Sequence, residues 1–208
     1  MSHGPLLLAG SGEFRPPMVS VDRELLRHTP GAPPKVAIVP TAAGLEVSVE
    51  SWITDGITHF TTLGCEAYGV RAVDPASVED SEHVAAIERA DLVYLSGGSP
   101  GYLVETLRVS AVWRVIVRVW ERGGALADSS AGAMALGEWT LVRREGQIGR
   151  MPAYWEPGLN LMPGMGVIPA PVTCGSAGMA KLSSAAPLQP ATPTQGLAPA
   201  TVTSKVVM

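Results

Sequence analysis

The stretch Ala125-Leu126-Ala127-Asp128-Ser129-Ser130-Ala131-Gly132-Ala133-Met134-Ala135-Leu136 sets a serine between a short apolar run and a series of small residues. Small neighbours permit a sharp strand-to-helix turn, and a serine on such a turn has its hydroxyl raised above the sheet as a nucleophile. The helix that follows begins with backbone N–H groups that have no partner inside the helix and that favour negative charge. Ser130 is therefore a candidate nucleophile, and the N–H of Ala131 a candidate donor to a developing oxyanion. The same residues also suit a plain helix cap packed closely on its strand, and local sequence leaves that alternative standing.

A second signal is Tyr94-Leu95-Ser96-Gly97-Gly98-Ser99-Pro100-Gly101. Paired glycines after a strand let the main chain approach a bound group and offer it N–H donors. An ordinary strand-to-helix turn would read the same way. Gly10-Ser11-Gly12-Glu13-Phe14 is a weaker signal, because short glycine turns are common and the dinucleotide fingerprint is incomplete.

These segments need elements to position them, and the chain supplies an alternation. Pro5–Ala9, Lys35–Val39, Ala67–Val70, Asp91–Leu95 and Ala125–Ala127 are short apolar or β-rich runs ending near turn residues, as buried strands do. Between them, Met18–His28, Leu45–Leu63, Val78–Arg89, Tyr102–Arg108 and Ala111–Arg122 carry apolar residues at helical spacing. This strand–helix alternation predicts a mostly parallel, doubly wound α/β sheet with helices on both faces. Ligands of such sheets bind at the carboxyl ends of the strands. Gly10–Glu13, Thr41, Gly97–Ser99 and Asp128–Gly132 all fall on that edge.

Composition narrows the function further. Of 208 residues, 46% are apolar and 16% charged, which argues against general disorder. A formal charge of −4 gives no electrostatic case for nucleic acid or an anionic membrane surface. No apolar run approaches the roughly 18 residues of a membrane span, and Leu6–Ala9 is too short for a signal-peptide core. Cys65 and Cys174 stand too far apart in sequence to suggest a metal cluster or a disulfide framework. The expectation is a soluble cytoplasmic protein.

Five pieces of the sequence together carry a specific resemblance. Gly10-Ser11-Gly12-Glu13, Ile38-Val39-Pro40-Thr41-Ala42, Leu95-Ser96-Gly97-Gly98, Ser129-Ser130-Ala131-Gly132-Ala133 and Gly158-Leu159-Asn160-Leu161-Met162-Pro163-Gly164 run in order over about residues 5–169. The chain thereby resembles the serine peptidases of the cyanophycinase and dipeptidase E (aspartyl dipeptidase) family, which have a class I glutamine amidotransferase-like fold. The resemblance implies that Ser130 is the nucleophile of an acyl-enzyme mechanism. It implies that Gly98 and Ala131 supply the oxyanion N–H groups, with Gly97 in the same substrate-binding turn. It further implies a small peptide substrate, often aspartyl, and neither metal nor organic cofactor. Amidotransferases of this fold have cysteine at the elbow; Ser130 stands there instead, and neither Cys65 nor Cys174 lies at an elbow. Homo-oligomer formation is left open.

The sequence departs from the family in three places. A serine hydroxyl needs a positioned base, and in the family a histidine follows the Gly-Leu-x-Leu-Leu-Pro-Gly segment, where this chain has Ala170. All four histidines lie at or before His83, and no carboxylate follows Glu156. His28, His59 and His83, on predicted helices or their ends, are expected to face solvent, with His3 on a mobile terminus. Second, Asp128 occupies a position that is usually small. Third, the 45 residues from Gly164 to Met208 carry only Lys181 and Lys205 as charges and are rich in Ala, Pro, Ser and Thr.

Residues 1–171 are therefore expected to form the peptidase-like domain, incomplete or irregular at its C-terminal end. Residues 172–208 read as a low-complexity, disordered tail, either a natural extension or the product of a disrupted reading frame; the absent base favours disruption or divergence. Arg71, Arg108, Arg143, Arg144 and Arg150 are available to an acidic substrate, but no motif assigns them and they read as surface charges. The expected function is a serine-type peptidase, silent as written if no base is supplied. The alternative is a catalytically silent domain that binds a small molecule or partner.

Overall fold

The computed structural model describes residues 3–142, 153–168 and 201–203. Five strands form one parallel sheet: β1 (Leu6–Ala9), β2 (Lys35–Val39), β3 (Glu66–Gly69), β4 (Leu92–Leu95) and β5 (Ala125–Ser129), in the order β1-β5-β4-β2-β3. Helices α1 (Val19–Arg27), α2 (Val49–Thr62), α3 (Ser81–Glu88), α4 (Pro100–Leu107), α5 (Ala111–Glu121) and α6 (Ala131–Ala135) connect and cover it. The expected α/β sheet is what the chain forms.

Strands β1, β2, β4 and β5 are buried on both faces, so they read as largely apolar runs whose side chains are shared between two cores, whereas β3 at the sheet edge is only partly buried. Leu8, Ala37, Val39, Val93, Leu95 and Leu126 face one way, onto Ile87, Leu103, Leu107, Val112, Val115, Ile116 and Val119 of α3, α4 and α5. Leu7, Ala9, Val36, Ile38, Leu92, Tyr94, Ala125 and Ala127 face the other way, onto Leu25 of α1 and Phe60 of α2. Helix α5 shows how sequence sets the orientation. Val112, Val115, Ile116 and Val119 form its buried stripe, while Arg114 and Arg118 on the outer side pair with Glu79 and Glu88.

Helices α1, α2 and α3 start later than apolar spacing suggests, α4 starts earlier, at Pro100, and α5 starts at Ala111 as expected. A single 3-10 turn, Pro16–Met18, precedes α1, and another, Ser77–Glu79, precedes α3. In the second case Asp80 stops the turn and caps α3 by accepting the N–H of Glu82 at 2.7 Å. Beyond α6 the chain builds a second sheet that the alternation did not announce. Strands β6 (Gly137–Val142), β7 (Tyr154–Pro157), β8 (Met162–Ile168) and β9 (Thr201–Thr203) lie in the order β7-β6-β8-β9. Met162–Ile168 is thus an interior strand. Gly166–Ile168 pair in parallel with Thr201–Thr203, within the segment read as a tail. Residues 172–200 and 204–208 of that segment lie outside the described residues. Among the described residues, no helix is long and apolar enough to cross a membrane.

One expectation is overturned here. His59 does not face solvent: it is buried, and its Nε2 lies 2.7 Å from Oδ2 of Asp22, itself fully buried. The helical period accounts for both. Asp22 falls on the stripe of α1 that contains Leu25, and His59 falls beside Phe60 on the stripe of α2 that packs on the sheet. Burial pushes the Asp22 carboxyl above its ordinary range, with His59 pulling it back. His83 is half-buried, and its Nδ1–H donates to the Ser77 carbonyl at 2.8 Å. His28 sits against Glu24 at the surface.

Replacing His59 by Ala strands Asp22 in the core without its imidazole partner. The expected loss of unfolding free energy is about 3 kcal/mol at neutral pH, read as a lower urea midpoint with an unchanged slope.

Candidate active site

Parallel pairing brings the carboxyl ends of β1, β2, β4 and β5 to one edge, because the register sets Ala9 beside Ser129, Leu95 beside Asp128 and Val39 beside Leu95. The glycine turn after β1, the Pro40–Ala43 segment after β2, the Ser96–Ser99 turn after β4 and Ser130 after β5 are therefore neighbours. Backbone bonds tie them together: the Ser130 N–H donates to the Ala9 carbonyl at 2.9 Å and the Ser99 N–H to the Ala42 carbonyl at 2.8 Å.

Ser130 is half-buried and has φ 49° and ψ −106°, a conformation that an L-residue adopts only under strain. Such backbone costs on the order of 1–3 kcal/mol and persists where its surroundings over-determine it. Small residues make the turn feasible. A side chain at Gly132 would come within 2.9 Å of the Leu95 carbonyl oxygen, so the helix after Ser130 can lie this close to β4 only with glycine there. Ser130 stands at the N-cap position of α6, whose first residue is Ala131, and its side chain makes no capping bond to the helix.

Across from Ser130 lie the paired glycines. Gly98 is exposed and has φ 141°; any side chain on it would strike the Ala42 carbonyl. Gly97 is buried, and its N–H donates to Oε1 of Glu13 at 3.0 Å. A Cβ on Gly97 would sit 3.5 Å from Cβ of Ser130 and 3.6 Å from Cη2 of Trp52, so the serine and the indole flank this glycine. Ser130, Gly97, Gly98 and Ala131 are thus held on one edge. Of the two glycine amides, that of Gly97 is already engaged by Glu13.

Sequence reasoning undervalued two residues here. Glu13 belongs to the glycine turn after β1, which read as a weak signal, yet its buried carboxylate also accepts the Ser129 hydroxyl at 2.8 Å. The available clue was an acidic residue directly after Gly-Ser-Gly at a strand end. Trp52 falls within the predicted helix Leu45–Leu63, where no motif marks it. It walls a cleft of about 330 Å³ lined also by Gly12, Glu13, Phe14, Arg15, Glu46, Ser48, Ser51 and Asp55. Its Nε1–H donates to Oε2 of Glu46 at 3.0 Å, which fixes the ring.

Other candidates lie elsewhere. The Thr41 hydroxyl donates to the Ala72 carbonyl in the interior. Arg71 pairs with Glu50 at the surface, and Arg108 donates to the Pro157 carbonyl. Arg143, Arg144, Arg150 and Ala170 lie outside the described residues. Among the described residues, no group of three or more His, Cys, Asp and Glu could hold a metal ion.

Asp128 does not block the turn. It lies in β5 beside Leu8 and Leu95, fully buried, with no hydrogen-bond partner on either oxygen among the described residues. Burial pushes its carboxyl well above the ordinary range, so the neutral acid is favoured.

A model of peptidase family S51 matches residues 6–168. The uncharacterized peptidase YgaJ of Bacillus subtilis (strain 168) is 25% identical over 131 residues, covering 62% of this chain and 54% of the relative. The chain thus spans about half the length of that curated relative. Among solved structures, a peptidase from an acI-B1 Actinobacterium superposes with a TM-score of 0.71 at 31% identity. That match covers 80% of this chain and 68% of the other.

Asp128 provides a test of the interior beside the site. The folded state holds its proton more tightly than the unfolded chain does. The stability this contributes is full below about pH 4 and is lost as pH rises toward the folded-state value. Replacing Asp128 by Ala removes that dependence. Urea midpoints at pH 5 and pH 8 should show the variant gaining on the native chain as pH rises, by about 1–3 kcal/mol.

Proposed function

The chain belongs to peptidase family S51, and from that premise we propose a serine peptidase in which Ser130 is the nucleophile. The observation that carries the reading is the strained backbone of Ser130, φ 49° and ψ −106°, at the end of a central strand facing the Gly97–Gly98 turn. The Ser130 hydroxyl attacks a peptide carbonyl, and the Gly98 and Ala131 N–H groups receive the oxyanion. Collapse expels the amine and leaves an acyl-serine, which water hydrolyses. Each half-reaction needs a group that takes the proton and returns it. Small peptides are the substrate class, and the cytoplasm is the proposed location.

The cleft beside Gly97 bears on which peptides. Glu13, Glu46 and Asp55 line it together with a single cation, Arg15, and the Trp52 indole. Carboxylates and an aromatic face favour a substrate that presents an ammonium or guanidinium group over one that presents a carboxylate. This departs from the aspartyl preference of the family that the sequence resembles.

A second reading has its own support. No histidine follows His83 in the sequence, and His59 is buried and engaged with Asp22. Without a base the domain would bind peptides and turn over slowly or not at all.

A fluorophosphonate probe separates the two readings. Labelling that is lost in Ser130→Ala supports the nucleophile, whereas a folded chain that does not label favours the binding domain. In either case, lysine-containing dipeptides should compete for the cleft more effectively than aspartyl dipeptides by about tenfold at low salt. Equal competition would remove the charge argument.

A further inference from the structure

We propose that Glu13 is a positioning residue, whose carboxylate sets the Gly98 and Ala131 amides in register with Ser130. The proposal rests on the reading of Ser130 as nucleophile. Its basis is where the two acceptor bonds fall. Oε1 takes the N–H of Gly97, the residue before Gly98, at 3.0 Å. Oε2 takes the hydroxyl of Ser129, the residue before Ser130, at 2.8 Å. One side chain thus spans the turn after β4 and the end of β5, one residue short of the working group on each side.

An ionised carboxylate only accepts, so both donors must turn toward it. Orienting the Gly97 N–H fixes the Ser96–Gly97 peptide plane, directly before the plane that carries the Gly98 N–H, and Gly98 itself is packed so that a Cβ on it would meet the Ala42 carbonyl oxygen at 2.3 Å. Bonds to an ionised partner are about twice as strong as neutral ones, and here they are sheltered from water. The carboxylate is itself held in place. Gly12 and Phe14 on either side both have positive φ, and the Phe14 ring packs 4.8 Å from Tyr94 and 6.3 Å from Phe60 in the core. Gly97 completes the fit, since a Cβ there would lie 2.5 Å from Oε1. A negative charge this close to a forming oxyanion opposes it electrostatically. Glu13 therefore serves through geometry, and a neutral side chain of the same shape should serve as well.

The test uses the full chain and the rate of fluorophosphonate labelling at Ser130, with urea midpoints measured in parallel. Glu13→Gln keeps an oxygen for Gly97 and turns its amide toward the Ser129 oxygen, so its rate should stay within about threefold of native. Glu13→Ala removes both ties and should label about a hundredfold more slowly, on the scale of losing an oxyanion donor. Should Glu13→Ala fail to fold, Ser129→Ala removes one tie and should slow labelling by about tenfold.

A native rate in the folded Ala variant at position 13 or, where that does not fold, at position 129 overturns the proposal. So does a loss in Glu13→Gln as large as in Glu13→Ala. If the native chain does not label at all, the nucleophile reading fails by itself and amide NMR decides the positioning role. The Gly98 and Ala131 amide shifts should then move in Glu13→Ala (or Ser129→Ala) but hold in Glu13→Gln; shifts unmoved in every variant overturn it.

Discussion

A single buried carboxylate, Glu13, ties together the edge of the sheet where chemistry would occur. The strands of a parallel sheet end independently, and each hands its chain to a different loop. Parallel hydrogen bonding aligns the strands up to Ala9, Leu95 and Ser129 but not beyond. Past that line, Glu13 joins the turn after β4 to the last residue of β5, and its own loop is pinned by Phe14 in the aromatic cluster. The strain at Ser130 is tolerated because the residues around it are held from several directions, including its N–H on the Ala9 carbonyl.

The interior handles its charges unevenly, and the difference follows from where each sits. Glu13 has a donor on each carboxyl oxygen, the Gly97 N–H and the Ser129 hydroxyl, at the rim. Asp22 lies deeper and has the His59 ring on one oxygen, while its other oxygen has no partner among the described residues. Asp128 has no partner on either oxygen and is best accommodated as the neutral acid. Two positions separate Asp128 from Ser130, but strand alternation puts it with Leu126 on the far face of the sheet from the Ser129–Glu13 bond. The departure from the usual small residue thus bears on stability and leaves the turn itself intact.

Much of the main sheet was legible in the sequence. Apolar runs such as Leu6–Ala9 and Leu92–Leu95 announce strands buried on both faces, and the stripe Val112, Val115, Ile116 and Val119 announces a covering helix. The small residues around Ser130 and the paired Gly97–Gly98 marked the candidate site, because turn sterics are a local property. The second sheet was much less legible. Of β6, β7 and β8, two contain proline and β6 alternates only in part between buried and half-buried positions, so no clean strand period appears. His59 and Asp22 were misread or passed over because a polar residue on an apolar stripe looks solvated until its partner is known.

By itself the sequence determined the order of strands and helices, the parallel two-faced sheet, the place of the Ser130 turn and the resemblance that family S51 membership bears out. Each depends on spacing or on the size of adjacent residues, which the chain carries locally. Only the tertiary structure decided that Glu13 meets Gly97 and Ser129, that His59 meets Asp22 and that Trp52 stands beside Gly97. Those pairs are separated by tens of residues. A polar side chain acquires its partner, its burial and its protonation only when packing brings such distant segments together.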